Sequence, residues 1–153
     1  MDVTIEVLTF KEGALSRVAH DLKLSVGSVQ ASADGSYAID ASSLRVVCAM
    51  KRGAPDPGAL SEGDKRRIEK SIRDDVLHSS RYPEVRFVPS IEGDRVTGEL
   101  HLHGVQRSIH SEFVNGVASF RLHQPDFGIK PFSALMGALK VKAHVEVRVS
   151  RVG

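Results

Sequence analysis

Tryptophan is absent from the 153-residue sequence, and two Tyr and six Phe bring the aromatic share to only 5%. An interior for a chain of this length is therefore built mainly from Val, Leu, Ile and Ala. Cysteine occurs once, at Cys48, which excludes an internal disulfide framework and fits a reducing compartment. No apolar run approaches the roughly 18 residues of a membrane-spanning helix. An excess of one charge is also missing: 21 Lys and Arg stand against 19 Asp and Glu, scattered rather than striped. Nucleic-acid binding through phosphate contacts is thereby unsupported. Residues 1–10 lack the basic head, continuous apolar stretch and small-residue cleavage site of a secretory leader. The expected location is the cytoplasm, or the periplasm if a leader has been removed. What is present, 41% hydrophobic and 26% charged residues, describes one globular domain over 1–153. A chain of that length buries roughly 68–70% of its unfolded surface without staples.

Period-two alternation dominates, and two hairpins can be registered from it. Asn115-Gly116 is a two-residue turn signal, since both positions favour positive φ. Folding there sets Phe113 opposite Ala118, Ser111 opposite Phe120 and Ile109 opposite Leu122. Gly93-Asp94 sets Ile91 opposite Val96, Phe87 opposite Leu100 and Val85 opposite Leu102. The last strand alternates cleanly, with Leu139, Val141, Ala143, Val145, Val147 and Val149 on one face and Lys140, Lys142, His144, Glu146 and Arg148 on the other. Val3, Ile5 and Val7 mark a first strand; Val18, Leu22, Leu24 and Val26 mark a longer second one. Its partner changes phase between Ile39 and Leu44, which predicts a β-bulge at Ser42-Ser43.

Between 51 and 83 the period changes. Ser61 and Asp64 resemble a helix N-cap with an acidic third position. Ile68, Ile72 and Val76 then give a narrow apolar stripe, so a helical insertion is expected at about 61–78, covering an open end or side of the sheet or docking a partner. About eight antiparallel strands with one helical insertion close into a barrel or stack as a two-sheet sandwich.

Seven His residues raise the question of a metal. His101 and His103 lie two apart on a polar face, and His110 lies on the next strand, but no Cys and no inward carboxylate completes a set, so no metal or other cofactor is expected. His20 falls on the apolar phase, either as a hydrogen-bonded core residue or as a polar handle in a cavity. Arg107 falls inward at a strand end, as a rim ion pair or as a contact for an anionic head group. Residues 123–137 are unusually apolar for a connection. Phe127, Ile129, Phe132, Leu135 and Met136 plug the core or form a lid over a cavity mouth, with Lys130 available to an acidic head group.

Several stretches resemble a known family. Tyr82-Pro83-Glu84-Val85-Arg86-Phe87, the hairpin from Val96-Thr97-Gly98-Glu99-Leu100 to Gly104-Val105-Gln106-Arg107, and Phe127-Gly128-Ile129 are similar, in order and spacing, to motifs of the YceI-like family. The resemblance implies an all-β fold, an eight-stranded antiparallel lipocalin-like β-barrel with one helical insertion, holding a polyisoprenoid or fatty-acid-like lipid. Carried over, the wall comes from Val18, Leu22, Leu24, Ile39, Leu44, Val46, Phe87, Leu100, Phe113 and Phe120, with Phe127, Ile129 and Phe132 near the mouth. The leading expectation is a non-enzymatic carrier or sequestering protein, its ligand head near His20, Arg107 or Lys130. An enzyme using His20 as acid or base, and a filled barrel serving as an interaction module, are the alternatives. An exposed sheet edge makes a homodimer a further expectation.

Overall fold

The computed structural model describes residues 2–12, 20–134 and 139–151. Its strands are β1 (Val3–Thr9), β2 (Asp21–Val26), β3 (Val29–Ala31), β4 (Tyr37–Asp40), β5 (Leu44–Lys51), β6 (Ala54–Asp56), β7 (Glu84–Glu92), β8 (Arg95–Leu102), β9 (Val105–Val114), β10 (Val117–His123), β11 (Ser133–Ala134), β12 (Leu139–Lys140) and β13 (His144–Arg151). Eleven of them form one antiparallel sheet in the order β3-β4-β7-β8-β9-β10-β13-β1-β2-β5-β6, and β11 pairs with β12 apart from it. The expected count of eight is thus corrected to eleven. Two of the three additional strands arise because long strands are cut in two, between β2 and β3 and between β4 and β5, and the third is the short β6.

Both cuts lie at one corner. The Asp40 carboxylate accepts from Ser42 N (2.9 Å) and caps a 3-10 turn over Ala41–Ser43. Ser43 in turn accepts from Gly27 N at its carbonyl (3.0 Å) and from Ser28 N at its hydroxyl (3.1 Å), pinning the facing strand at its own break. The phase change expected as a bulge at Ser42-Ser43 is therefore this turn. The register shift in this ribbon falls between Lys23 and Leu24, which pair with Cys48 and Val46. Past the corner β4 pairs with β7 whereas β5 pairs with β2, so the sheet curls round into a barrel-like shell.

The turn chemistry sets the hairpins as expected. Asn115 and Gly116 both take positive φ (52° and 80°), and Ala118 faces Phe113. Ile91 faces Val96 and Phe87 faces Leu100 across the other hairpin. One expectation fails: the β9–β10 ladder stops after two pairs, because β9 follows β8 along its length while β10 follows β13. Ser111 is not paired with Phe120; its hydroxyl donates to Ser119 O (2.6 Å).

No ladder joins β5 to β7 among the described residues, and the helical insertion covers that side. Helix α1 (Glu62–Ser71) starts at Ser61, whose hydroxyl accepts from Asp64 N (3.0 Å) while the Asp64 carboxylate accepts from Ser61 N (3.0 Å). It continues as a π turn over Ile72–Val76, closed by Leu77 N donating to Ile72 O (2.8 Å). The wider turn keeps Val76 and Leu77 on the face begun by Ile68 and Ile72, against the sheet. Glu69 ties the helix down, its carboxylate accepting from Val46 N (2.8 Å) on β5. Among the described residues no helix is long and apolar enough to cross a membrane.

Candidate functional site

Alternation sends one face of each long strand inward, and these faces do not meet. They surround a cavity of about 570 Å³, within the range of roughly 300–1,000 Å³ usual for small-molecule sites. The sheet supplies Ile5 and Val7 from β1, Leu22, Leu24 and Val26 from β2, and Val145, Val147 and Val149 from β13. The insertion supplies the opposite wall through Leu60, Ile68, Ile72, Val76 and Leu77. Phe127 and Ile129, almost fully buried, line it as well.

Most wall residues expected from the sequence face this cavity: Leu22, Leu24, Ile39, Leu44, Phe87, Leu100, Phe120, Phe127, Ile129 and Phe132. Val46 does not; it is buried in a cluster with Leu22 and Leu24. Phe113 lines a separate small pocket of about 50 Å³, with the Arg151 guanidinium stacked 3.5 Å from its ring centroid. Val18, and Leu135 and Met136 of the lid segment, lie outside the described residues.

The polar residues divide differently. His20 lines the cavity, partly buried. Arg107 and Lys130 do not line it, which corrects their placement as head-group contacts. The Arg107 side chain is 52% exposed; its Nε donates to Asp126 O (3.0 Å) and its Nη2 lies 3.9 Å from the Asp126 carboxylate. That is the rim ion pair, formed because β9 has parted from β10 at this level. Lys130 is exposed. The polar groups that do reach the cavity include Thr9, Gln124, Arg67 and Lys140, none of which was expected. Thr9 and Gln124 continue the inward phases Val7-Thr9 and Leu122-Gln124, a signal available in the sequence. The Thr9 hydroxyl is buried without a hydrogen-bond partner among the described residues, while Gln124 Nε2 donates to Lys142 O (3.1 Å).

The histidines do not assemble. His101 faces Gln106 and His110 faces Thr97 across a two-residue turn at His103-Gly104, both with positive φ (54° and 76°). Among the described residues no group of three His, Cys, Asp or Glu could hold a metal ion. His103 instead packs between Tyr82 (ring centroids 4.4 Å) and His78 (5.5 Å), and its Nδ1 lies 3.2 Å from Phe127 O. Burial holds its pKa below the ordinary 6.5; the Phe127 carbonyl opposes that, and His78 and Arg81 add to it.

Fold and cavity together define a class: an antiparallel, barrel-like sheet around an apolar chamber, with one helix as part of the wall. The family model of the YceI-like domain matches residues 3–152, and the chain belongs to the YceI-like family. Among solved structures, BcnA of Burkholderia cenocepacia is similar, with a TM-score of 0.50 and 14% identity over 97% of this chain and 96% of that one. A polyisoprenoid binding domain from Saccharophagus degradans, implicated in plant cell wall breakdown, is similar at 13% identity and a TM-score of 0.48, over 96% of this chain and 90% of that one. No curated protein matches the sequence.

Proposed function

We propose that the protein binds a long apolar ligand, of polyisoprenoid or fatty-acid type, inside its barrel and carries or sequesters it without chemical change. The cavity carries this reading: about 570 Å³ walled by aliphatic side chains from most of the sheet and from the insertion. Burial of about 0.8 kcal/mol per methylene supplies useful affinity there without any directional contact. The family resemblance points to the same ligand class. The head group belongs with His20, Thr9 and Lys140 rather than with Arg107 or Lys130, because only the former line the chamber.

Mass spectrometry of an organic extract from protein purified without detergent tests the reading. A stoichiometric long-chain molecule is expected, and His20→Ala is expected to retain it. Repeated absence of such a molecule, together with failure to take up added fatty acid or polyprenol, overturns the proposal. Turnover of the bound lipid that is lost in His20→Ala would establish the enzyme instead.

A further inference from the structure

The chamber has a floor, and two aromatic rings form it. The small pocket of about 50 Å³ lies beyond the main cavity, and the division falls at one level on strand after strand. On β1, Val3 lines only the small pocket, Ile5 lines both and Val7 only the large one; on β10 the same sequence runs Ala118, Phe120, Leu122. On β7 it runs Ile91, Phe87, Val85. Among the described residues five side chains therefore stand between the two spaces: Ile5, Ile39, Phe87, Phe120 and Val149.

Of these the two phenylalanines, on β7 and β10, reach each other over the intervening β8 and β9. Their rings meet edge to face, with centroids 6.0 Å apart at 74°. The inward position of β8 at this level, between Val96 and Leu100, is Gly98. A Cβ there would lie 2.5 Å from Val88 O and 2.6 and 2.8 Å from Phe87 ring atoms, so the β7 backbone and the ring together occupy the volume that any other residue would fill. The glycine of the Val96-Thr97-Gly98 motif is thus what lets Phe87 reach Phe120.

We propose that the Phe87–Phe120 pair is a tail stop that sets the length of apolar chain the protein accepts. This rests on the reading of the chamber as the seat of a long apolar ligand. Orientation follows from the lining: Thr9, His20, Gln124 and Lys140 face only the large cavity, whereas among the described residues Tyr37 alone brings a polar side-chain group to the small pocket. The head stays with the first set and the tail runs towards the rings. Shortening either ring joins the small pocket to the chamber.

The test is competition of saturated fatty acids, lengthened two carbons at a time, against a fluorescent fatty acid, with circular dichroism to check folding. For the unaltered protein, affinity is expected to rise roughly fifteen-fold per two-carbon step and then stop rising at one length. In Phe120→Ala the break is expected at least one step later. Phe87→Leu, a milder change that keeps the core if the alanine variant fails to fold, moves it the same way. A break at unchanged length in a folded variant, or no break in the unaltered protein, overturns the tail stop and leaves the carrier reading standing. No binding at any length, by any form, overturns the carrier reading itself.

Discussion

At the scale of single residues, His103 links three segments that touch the chamber: the end of β8, the return from the helix through His78 and Tyr82, and the Phe127 carbonyl. A carbonyl only accepts, so Nδ1 carries the proton of the neutral ring, and Nε2 is buried with no hydrogen-bond partner among the described residues. A second proton there meets no acceptor and faces His78 and Arg81. The folded pKa lies below 6.5, so as pH falls through that value the unfolded chain takes up a proton that the folded one resists. Stability is therefore lost from about pH 6.5 downward, until the native ring also titrates. Urea midpoints measured between about pH 7.5 and 5 should fall with pH, and His103→Gln should flatten the slope. Part of it should remain, because burial, with Arg121 and Lys142 nearby, lowers the His144 pKa as well. An unchanged slope in His103→Gln would refute this account.

At the scale of elements, the insertion is held by one charged contact as well as by its apolar face. Val46 pairs with Leu24 of β2, but its N–H donates to the Glu69 carboxylate of the helix. Hydrogen bonds to charged groups are worth about 1.5–3 kcal/mol, so Glu69→Ala should cost that much. Glu69→Gln should restore most of it, and faster hydrogen exchange in residues 62–76 should accompany the alanine change alone. Equal stability of the two variants would mean that the helix is held by Ile68 and Ile72 without this anchor. The insertion also shows how far local signals reach. Ser61, Asp64 and the spacing Ile68, Ile72, Val76 announce it, as Asn115-Gly116 announces its hairpin, because caps and tight turns are decided within a few residues. Glu69 carries no such signal, since its partner is 23 positions away. For Arg107 the sequence leaves two readings, a rim ion pair or a head-group contact, and the pairing with Asp126 that decides for the first is 19 positions away. Alternation over one long last strand puts Lys140 on its wet face, whereas β12 and β13 are separate and the phase does not carry from one to the other.

At the scale of the whole molecule, the size of the chamber decides whether it is a packing defect. Packed interiors hold few voids larger than a water molecule, and about 570 Å³ is many times that. The proposed lipid would cover the aliphatic faces that stand apart around it. Loading should therefore be visible as stability. A lipid present at about a hundred times its Kd adds about 2.7 kcal/mol, and at this chain length each kcal/mol raises Tm by about 2–4 °C. Protein stripped of lipid should thus gain about 5–10 °C when a long-chain fatty acid is returned, and little with a short-chain acid at equal concentration. Val147→Phe places a ring in the space the ligand would take, since Val147 lines the cavity from β13. That variant should start from a higher Tm in the stripped state and respond less to lipid, which separates occupancy of the chamber from adsorption on the outer surface. An equal rise in Val147→Phe and the unaltered protein would place the lipid outside the barrel.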